Sequence, residues 1–300
     1  MAVFFFVGGP THYSSRSFRG IWNWGHIVFF LLLTLYILKN VKTFADWTYT
    51  KTLFLLLVFT LCLGSAIELL QWGTGSRSPD YLDVVRDLIG CLIAVVFFSP
   101  ARARLPAVYL RSLQILVFLI VCIFVFPTTE AFYDEYLARR EFPVLADFEC
   151  PNQLTRWSPI RASVSISEEI KRTGGASLRV NLTGARYSGA ELKYFPKDWR
   201  AYKYLSLSLY NASSEPLRIA IRVHDEEHVK KKSPKFHDRF NATFILKPGW
   251  NDIKISIADI LNAPKGRKMN LAKIMNVSFF VARLPERRTV YVDDVKLVDK

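Results

Sequence analysis

The sequence predicts an α-helical transmembrane bundle of four main spans, followed by an all-β soluble domain of the jelly-roll or β-sandwich kind. Two observations carry that expectation. Apolar runs at 21–38, 53–70, 82–98 and 107–126 are each about long enough to cross the roughly 30 Å hydrocarbon core of a bilayer. Beyond Pro143 no such run occurs, and short alternating segments broken by Gly, Pro and Asn read as half-buried strands. Composition changes abruptly near Glu141, so the whole-chain values of 51% hydrophobic residues and a net charge of +14 describe neither half. The expected division is an N-terminal apolar or interfacial segment over 1–20, a transmembrane domain over 21–128, a linker over 129–143 and a β domain over 144–300.

Residues 1–7 are apolar but too short to span, and no small-residue cleavage site follows a basic stretch, so a cleaved signal peptide is not expected. Lys39, Lys42 and Lys51 lie between the first two spans, and Arg102, Arg104 and Arg111 lie between the third and fourth. The positive-inside rule makes those loops cytoplasmic and leaves the β domain on the outer side, although Arg16 and Arg19 before the first span run against it. The expected location is therefore a membrane, crossed several times, with lipid as one partner. Cys62, Cys91 and Cys122 sit in apolar runs and Cys150 stands alone, which excludes a disulfide framework or a cysteine metal quartet. The positive charge is dispersed and no nucleic-acid motif accompanies it, so no nucleic-acid partner is expected.

Ionisable groups at membrane depth are costly and need partners, a wet cavity or a function. Glu68, Gln71, Arg77, Asp83, Asp87 and Gly90 gather at the end of the second run and the start of the third. Helical spacing puts Glu68 and Gln71 on one face, and Asp83, Asp87 and Gly90 on another. A short antiparallel hairpin would bring the two faces together, Gly90 allowing close approach. Two carboxylates beside an arginine suit proton transfer or the holding of an anionic or hydroxyl-rich headgroup, with Glu68 and Asp83 as the catalytic candidates. Salt bridges that merely fix the hairpin are the plainer reading, above all for Asp80 and Arg86.

Glu68-Leu-Leu-Gln71, Arg77, Asp83 and Gly90, in that order and with the spacing after Arg77, resemble the signature of the VanZ-like membrane family. His26, in Trp22-Asn-Trp-Gly-His26, resembles the histidine that these proteins carry before an aromatic-rich helix. The family's asparagine falls on Asp87 here. The resemblance implies a bacterial envelope protein, in a family named for a protein that raises glycopeptide resistance, and it implies no particular reaction.

In the second half, strands are expected at 163–166, 177–181, 190–194, 204–210, 217–223, 240–246, 251–256, 276–281 and 289–297, with short helical connectors at 257–261 and 271–274. The opening Leu145-Ala-Asp-Phe-Glu149, the middle Gly174-Gly-Ala-Ser-Leu-Arg-Val180 and the closing Val290-Tyr-Val-Asp-Asp-Val-Lys-Leu297 resemble carbohydrate-binding modules with a galactose-binding-like jelly roll. That resemblance implies a structural calcium on Asp147, Glu149 and Asp294; no other cofactor is required. Trp199, Arg222, Asp225, His228, Asp238 and Arg239 form a kit for sugar: a guanidinium, carboxylates for paired hydroxyls and an aromatic platform. His224, His228 and His237 read alternatively as zinc ligands, although their separations fit no familiar spacing.

The two halves point to an envelope protein that binds or acts on an envelope or lipid-linked saccharide or a glycopeptide. Two alternatives stay open: a membrane enzyme using Glu68 and Asp83 in acid–base chemistry, and a membrane-anchored adaptor for another envelope protein.

Overall fold

The computed structural model describes residues 9–10, 13–73, 80–231, 233 and 235–299. The chain divides into two compact units, 1–132 and 133–300. Residues 1–7 and Arg77, singled out above, lie outside the described residues.

The first unit is helical: α1 (Arg16–Asn40), α2 (Tyr49–Gly73), α3 (Tyr81–Phe98) and the start of α4 (Ala107–Glu141). Ser15 caps α1 by accepting from the Phe18 amide, and Asp80 caps α3 by accepting from the Leu82 amide at 2.9 Å. Ser99-Pro100 stops α3, since proline disfavours a helical conformation in the residue before it.

The polarity of these helices is inverted relative to a water-soluble bundle. The buried stripe of α2 is Tyr49, Thr52, Leu56, Thr60, Gly64, Glu68 and Gln71, while Phe54, Val58, Phe59 and Leu61 face outward. On α4, Ile115, Phe118 and Ile123 are more than half exposed. Small and polar residues inside with large apolar ones outside is the arrangement that lipid selects. Among the described residues, three helices, α1, α2 and α4, are long and apolar enough to cross a membrane. The fourth expected span, α3, has 18 residues and carries Asp83, Arg86 and Asp87.

The linker expected over 129–143 is helix as far as Glu141. Ala131, Glu135, Leu137, Ala138 and Arg139 favour a helix, and the second unit holds its end: the fully buried Arg156 donates to Asp134 at 2.9 Å and reaches Glu141 at 3.5 Å. Gln153 also donates to Glu141. The β domain expected to begin at 144 thus takes in the last turns of α4.

Among the described residues, the rest of the second unit is an antiparallel sandwich of eleven strands: β1 (Val144–Ala146), β2 (Trp157–Ile160), β3 (Ser163–Ser167), β4 (Ser177–Leu182), β5 (Ser188–Leu192), β6 (Tyr204–Asn211), β7 (Leu217–Asp225), β8 (Phe240–Leu246), β9 (Gly249–Ser256), β10 (Ile274–Val281) and β11 (Arg288–Val298). One sheet runs β3-β4-β11-β6-β9 with β1 also on β11, and the other runs β2-β5-β10-β7-β8. Alternation sends Leu178, Val180, Leu205, Leu207, Leu209, Val290 and Val292 inward from the first sheet. They meet Leu192, Ile219, Ile221, Val223, Val277 and Phe279 from the second. Two short helices, α5 (Glu226–Lys230) and α6 (Ile257–Asn262), serve as connectors.

Candidate functional site

The first site is built where α1, α2 and α3 meet. Asp83 and Asp87, one turn apart on α3, both face α1: His26 Nδ1 lies 2.9 Å from Asp87 Oδ1, and His26 Nε2 lies 3.4 Å from Asp83 Oδ2. Two glycines make the approach close enough. A Cβ on Gly90 would fall 2.3 Å from the Ile27 carbonyl oxygen, and one on Gly64 would fall 2.5 Å from Asp87 Oδ2. From α2, Glu68 Oε2 accepts from the Asp80 amide at 2.9 Å, tying the end of one helix to the cap of the next. Arg86 donates to Asp83 Oδ1 and lies 3.5 Å from Asp80. His26, Glu68, Gln71, Asp83 and Asp87 are all buried. Of the membrane residues named from sequence, all but the undescribed Arg77 therefore fall in one locality, and His26 belongs to it rather than to the interface alone.

The set expected to bind sugar does not stay together. Trp199 is fully buried against Phe195 with its Nε1 donating to the Pro196 carbonyl, so it is core and offers no platform. Asp225, His228 and Asp238 do converge, but on Arg267. That guanidinium donates to Asp225 at 2.5 and 2.8 Å and to Asp238 at 2.7 Å. Asp225 also caps α5 through the His228 amide and accepts from the Asn270 amide. Burial opposes ionisation of Asp238, and the hydrogen bonds from Arg267 and Lys231 outweigh it, holding that carboxyl well below its usual range. Asp225 is held low in the same way. Burial lowers His228, partly offset by Asp238, and burial with nearby Arg222 pushes His224 down to about 3. These groups pin the connection between β7 and β8. Arg239 turns away, donating to Asn241 and lying over Phe236. Arg267 was not singled out by sequence: it sits 42 residues from Asp225 in a loop with no local pattern to mark it.

Arg222 leads elsewhere, to the outer face of the five-stranded sheet. Registered pairing lines up Ser158, Glu191, Ser278, Arg222 and Asn241, one from each strand, in a single row. Arg222 donates to Ser278 Oγ at 2.9 Å and lies 3.8 Å from Glu191, which accepts from Asn276 at 2.9 Å and pairs with Lys193 at 2.5 Å. The neighbouring row is Ile160, Gly189, Phe280, Ala220 and Thr243, in which Phe280 has small residues on both sides. Exposed Tyr187 packs edge-on against Phe280, and Arg222 lies over the same ring. Of the sugar kit read from sequence, Arg222 lies in this face, and Arg239 touches its edge through Asn241.

The expected calcium ligands are not assembled. Asp147 accepts from Gln153, Glu149 accepts from the Gly175 amide, and Asp294, at a bulge in β11, pairs with Lys296. The buried acid at that end is Asp293, satisfied by the amides of Arg172, Thr173 and Asp294, its pKa raised by burial. Nor do His224, His228 and His237 make a zinc triad. Among the described residues, one group of three ligand-type side chains has donor atoms all within 4.8 Å of one another, and it is His26, Glu68 and Asp83.

No family model matches the chain, and no curated protein matches it. Solved structures do. A family 11 carbohydrate-binding module from Clostridium thermocellum, in complex with a β-1,3-1,4-mixed-linked tetrasaccharide, is 16% identical, covers 52% of this chain and 94% of its own, and gives a TM-score of 0.42. An exo-β-agarase gives 14% identity and a TM-score of 0.42, and the match spans 52% of this chain but 25% of the agarase. A family 30 carbohydrate-binding module of a Clostridium thermocellum cellulosomal cellulase gives 16% identity and a TM-score of 0.34, covering 48% of this chain and 94% of that one. The β unit resembles carbohydrate-binding modules. At these scores the likeness concerns fold, and no binding residue is carried over from it.

Proposed function

We propose that this chain is a multi-pass bacterial envelope protein, VanZ-like in its membrane unit, that binds an envelope or lipid-linked saccharide or a glycopeptide through its β unit. The observation that carries this reading is the double row on the outer face of the five-stranded sheet. A polar row of hydroxyl, carboxylate, hydroxyl, guanidinium and amide runs beside one centred on Phe280 and edged by Tyr187. Saccharides ask for paired donors and acceptors next to an aromatic surface that can meet ring C–H groups. In this reading α3 is the fourth span, its charges satisfied inside the bundle, and the basic loops after α1 and α3 place the β unit on the outer side. Tethering the β unit to the membrane raises the local concentration of a bound envelope saccharide.

The test is a glycan array, extended to lipid-linked and cell-wall saccharides, probed with the full chain in detergent and with the double variant Glu191→Ala, Arg222→Ala. Binding by the native chain that falls at least tenfold in the variant is expected. A folded native chain that binds nothing, or a variant that binds equally well, would refute the reading.

The second reading, a membrane enzyme with Glu68 or Asp83 as general base on a lipid-linked glycan, is favoured by one observation: ionisable groups of three helices converge inside an apolar unit.

A further inference from the structure

We infer that His26, Glu68 and Asp83 form a binding site for a divalent first-row metal ion such as Zn²⁺ or Mn²⁺, with Asp87 as the residue that orients the imidazole. His26 Nδ1 lies 2.9 Å from a carboxylate oxygen of Asp87. When Asp87 is ionised and the ring neutral, Nδ1 carries the hydrogen and Nε2 presents its lone pair. That lone pair faces Asp83 Oδ2 at 3.4 Å, one electron donor aimed at another. The carboxylate–imidazole–metal relay is the arrangement in which a protein fixes the tautomer of a ligating histidine.

Glu68 supplies the independent observation. It is 6% exposed, its Oε2 accepts from the Asp80 amide, and its Oε1 is buried with no hydrogen-bond partner among the described residues. A carboxylate oxygen left so in an apolar unit costs free energy that a cation would recover. Charge points the same way: among the described residues, Glu68, Asp83 and Asp87 are three buried carboxylates, and a guanidinium, that of Arg86, pairs with Asp83. That guanidinium binds Asp83 through Oδ1 and leaves Oδ2 turned to His26.

The spacing suits the ion. Two ligands about 2.1 Å from a metal at a tetrahedral angle are about 3.4 Å apart, which matches the separation of His26 Nε2 and Asp83 Oδ2. The third donor, a Glu68 oxygen, lies within 4.8 Å of a ring nitrogen of His26 and of a carboxylate oxygen of Asp83. One imidazole and two carboxylates suit borderline divalent ions, and three protein ligands leave a position for water or for an oxygen of a bound molecule. The site is distinct from the sheet face of the β unit and does not depend on saccharide binding.

The full chain, freed of any affinity tag and of metal by chelation, would be equilibrated in detergent with Zn²⁺ or Mn²⁺, desalted and assayed for retained metal by mass spectrometry. One ion per chain is expected, with affinity at least tenfold weaker in His26→Gln and Glu68→Gln, and about 10- to 100-fold weaker in Asp87→Asn. Because a buried substitution can impair folding, the native chain is also read alone: Mn²⁺ bound at this site shows electron-spin-echo modulation from an imidazole nitrogen. A folded native chain that retains no ion, retained Mn²⁺ without nitrogen coupling, or retention undiminished in folded variants would overturn the site. The first result would mean that a proton, not a metal, lies between His26 and Asp83. None of these outcomes touches the saccharide reading, since no sugar is present.

Discussion

Gly90 shows how much one missing methyl group decides. An alanine there would place Cβ 2.3 Å from the backbone oxygen of Ile27, an atom that cannot step aside as a side chain could. Gly90→Ala should therefore force α1 and α3 apart and cost about 1–3 kcal/mol, the usual range for overpacking, read as an earlier transition when the detergent-solubilised chain is unfolded by SDS. In the β unit, Arg267→Ala would take the guanidinium from two buried carboxylates, leaving Asp225 to the amides of His228 and Asn270 and Asp238 to Lys231. A loss of roughly 3 kcal/mol or more is expected in urea titration of the 133–300 unit. His224 adds a pH dependence. Its folded pKa, about 3, lies below the roughly 6.5 of the unfolded chain, so between these values the unfolded state binds the proton and the native state does not. Stability should fall as pH drops from about 6.5 toward 3, by a few kcal/mol at most, and His224→Gln should flatten that slope. Residue types at this scale were partly legible in the sequence. The membrane carboxylates stand out because charge is conspicuous among apolar residues, whereas Arg267 is one basic residue among many until the fold delivers it to Asp225.

Among elements, α4 carries the most consequence. Its apolar length and the first strand-like residues suggest a linker between them, but no local signal announces that Arg156, fully buried, reaches back to Asp134 and Glu141. A β unit produced from residue 144 should accordingly be several kcal/mol less stable than one produced from residue 133, and Asp134→Ala in the longer form should reproduce most of the loss, about 3–5 kcal/mol. Thermal melts of the three forms would check this; equal melting temperatures would show that the helix end contributes nothing. All nine strands read from alternation are present, since burial on one face of a sheet writes period two into the sequence. Two were missed: β1, with three residues, is too short to alternate, and β2 contains Pro159. The short α5 escaped because it depends on Asp225 as its cap, and Asp225 had been read as a sugar ligand.

At the level of the whole molecule, the helical unit carries small and polar residues inside and large apolar ones outside, and the sandwich the reverse, so the two units of one chain have opposite polarity. The abrupt change in composition near Glu141 made that division legible. The proposed binding face was not, because it depends on register: Glu191, Ser278 and Arg222 are far apart in the chain and become neighbours only when β5, β10 and β7 pair. Orientation is open to a direct check. A reporter active only outside the cytoplasm, fused after Lys300, should be active, and one active only inside should be silent. The central claim, that the outer face of the five-stranded sheet binds saccharide, is tested most directly by backbone NMR of the 133–300 unit titrated with the best glycan from the array. The account predicts shifts concentrated at Tyr187, Glu191, Arg222, Asn276, Ser278 and Phe280. Shifts that avoid these residues and gather at the opposite sheet, or no shifts at saturating sugar, would contradict it.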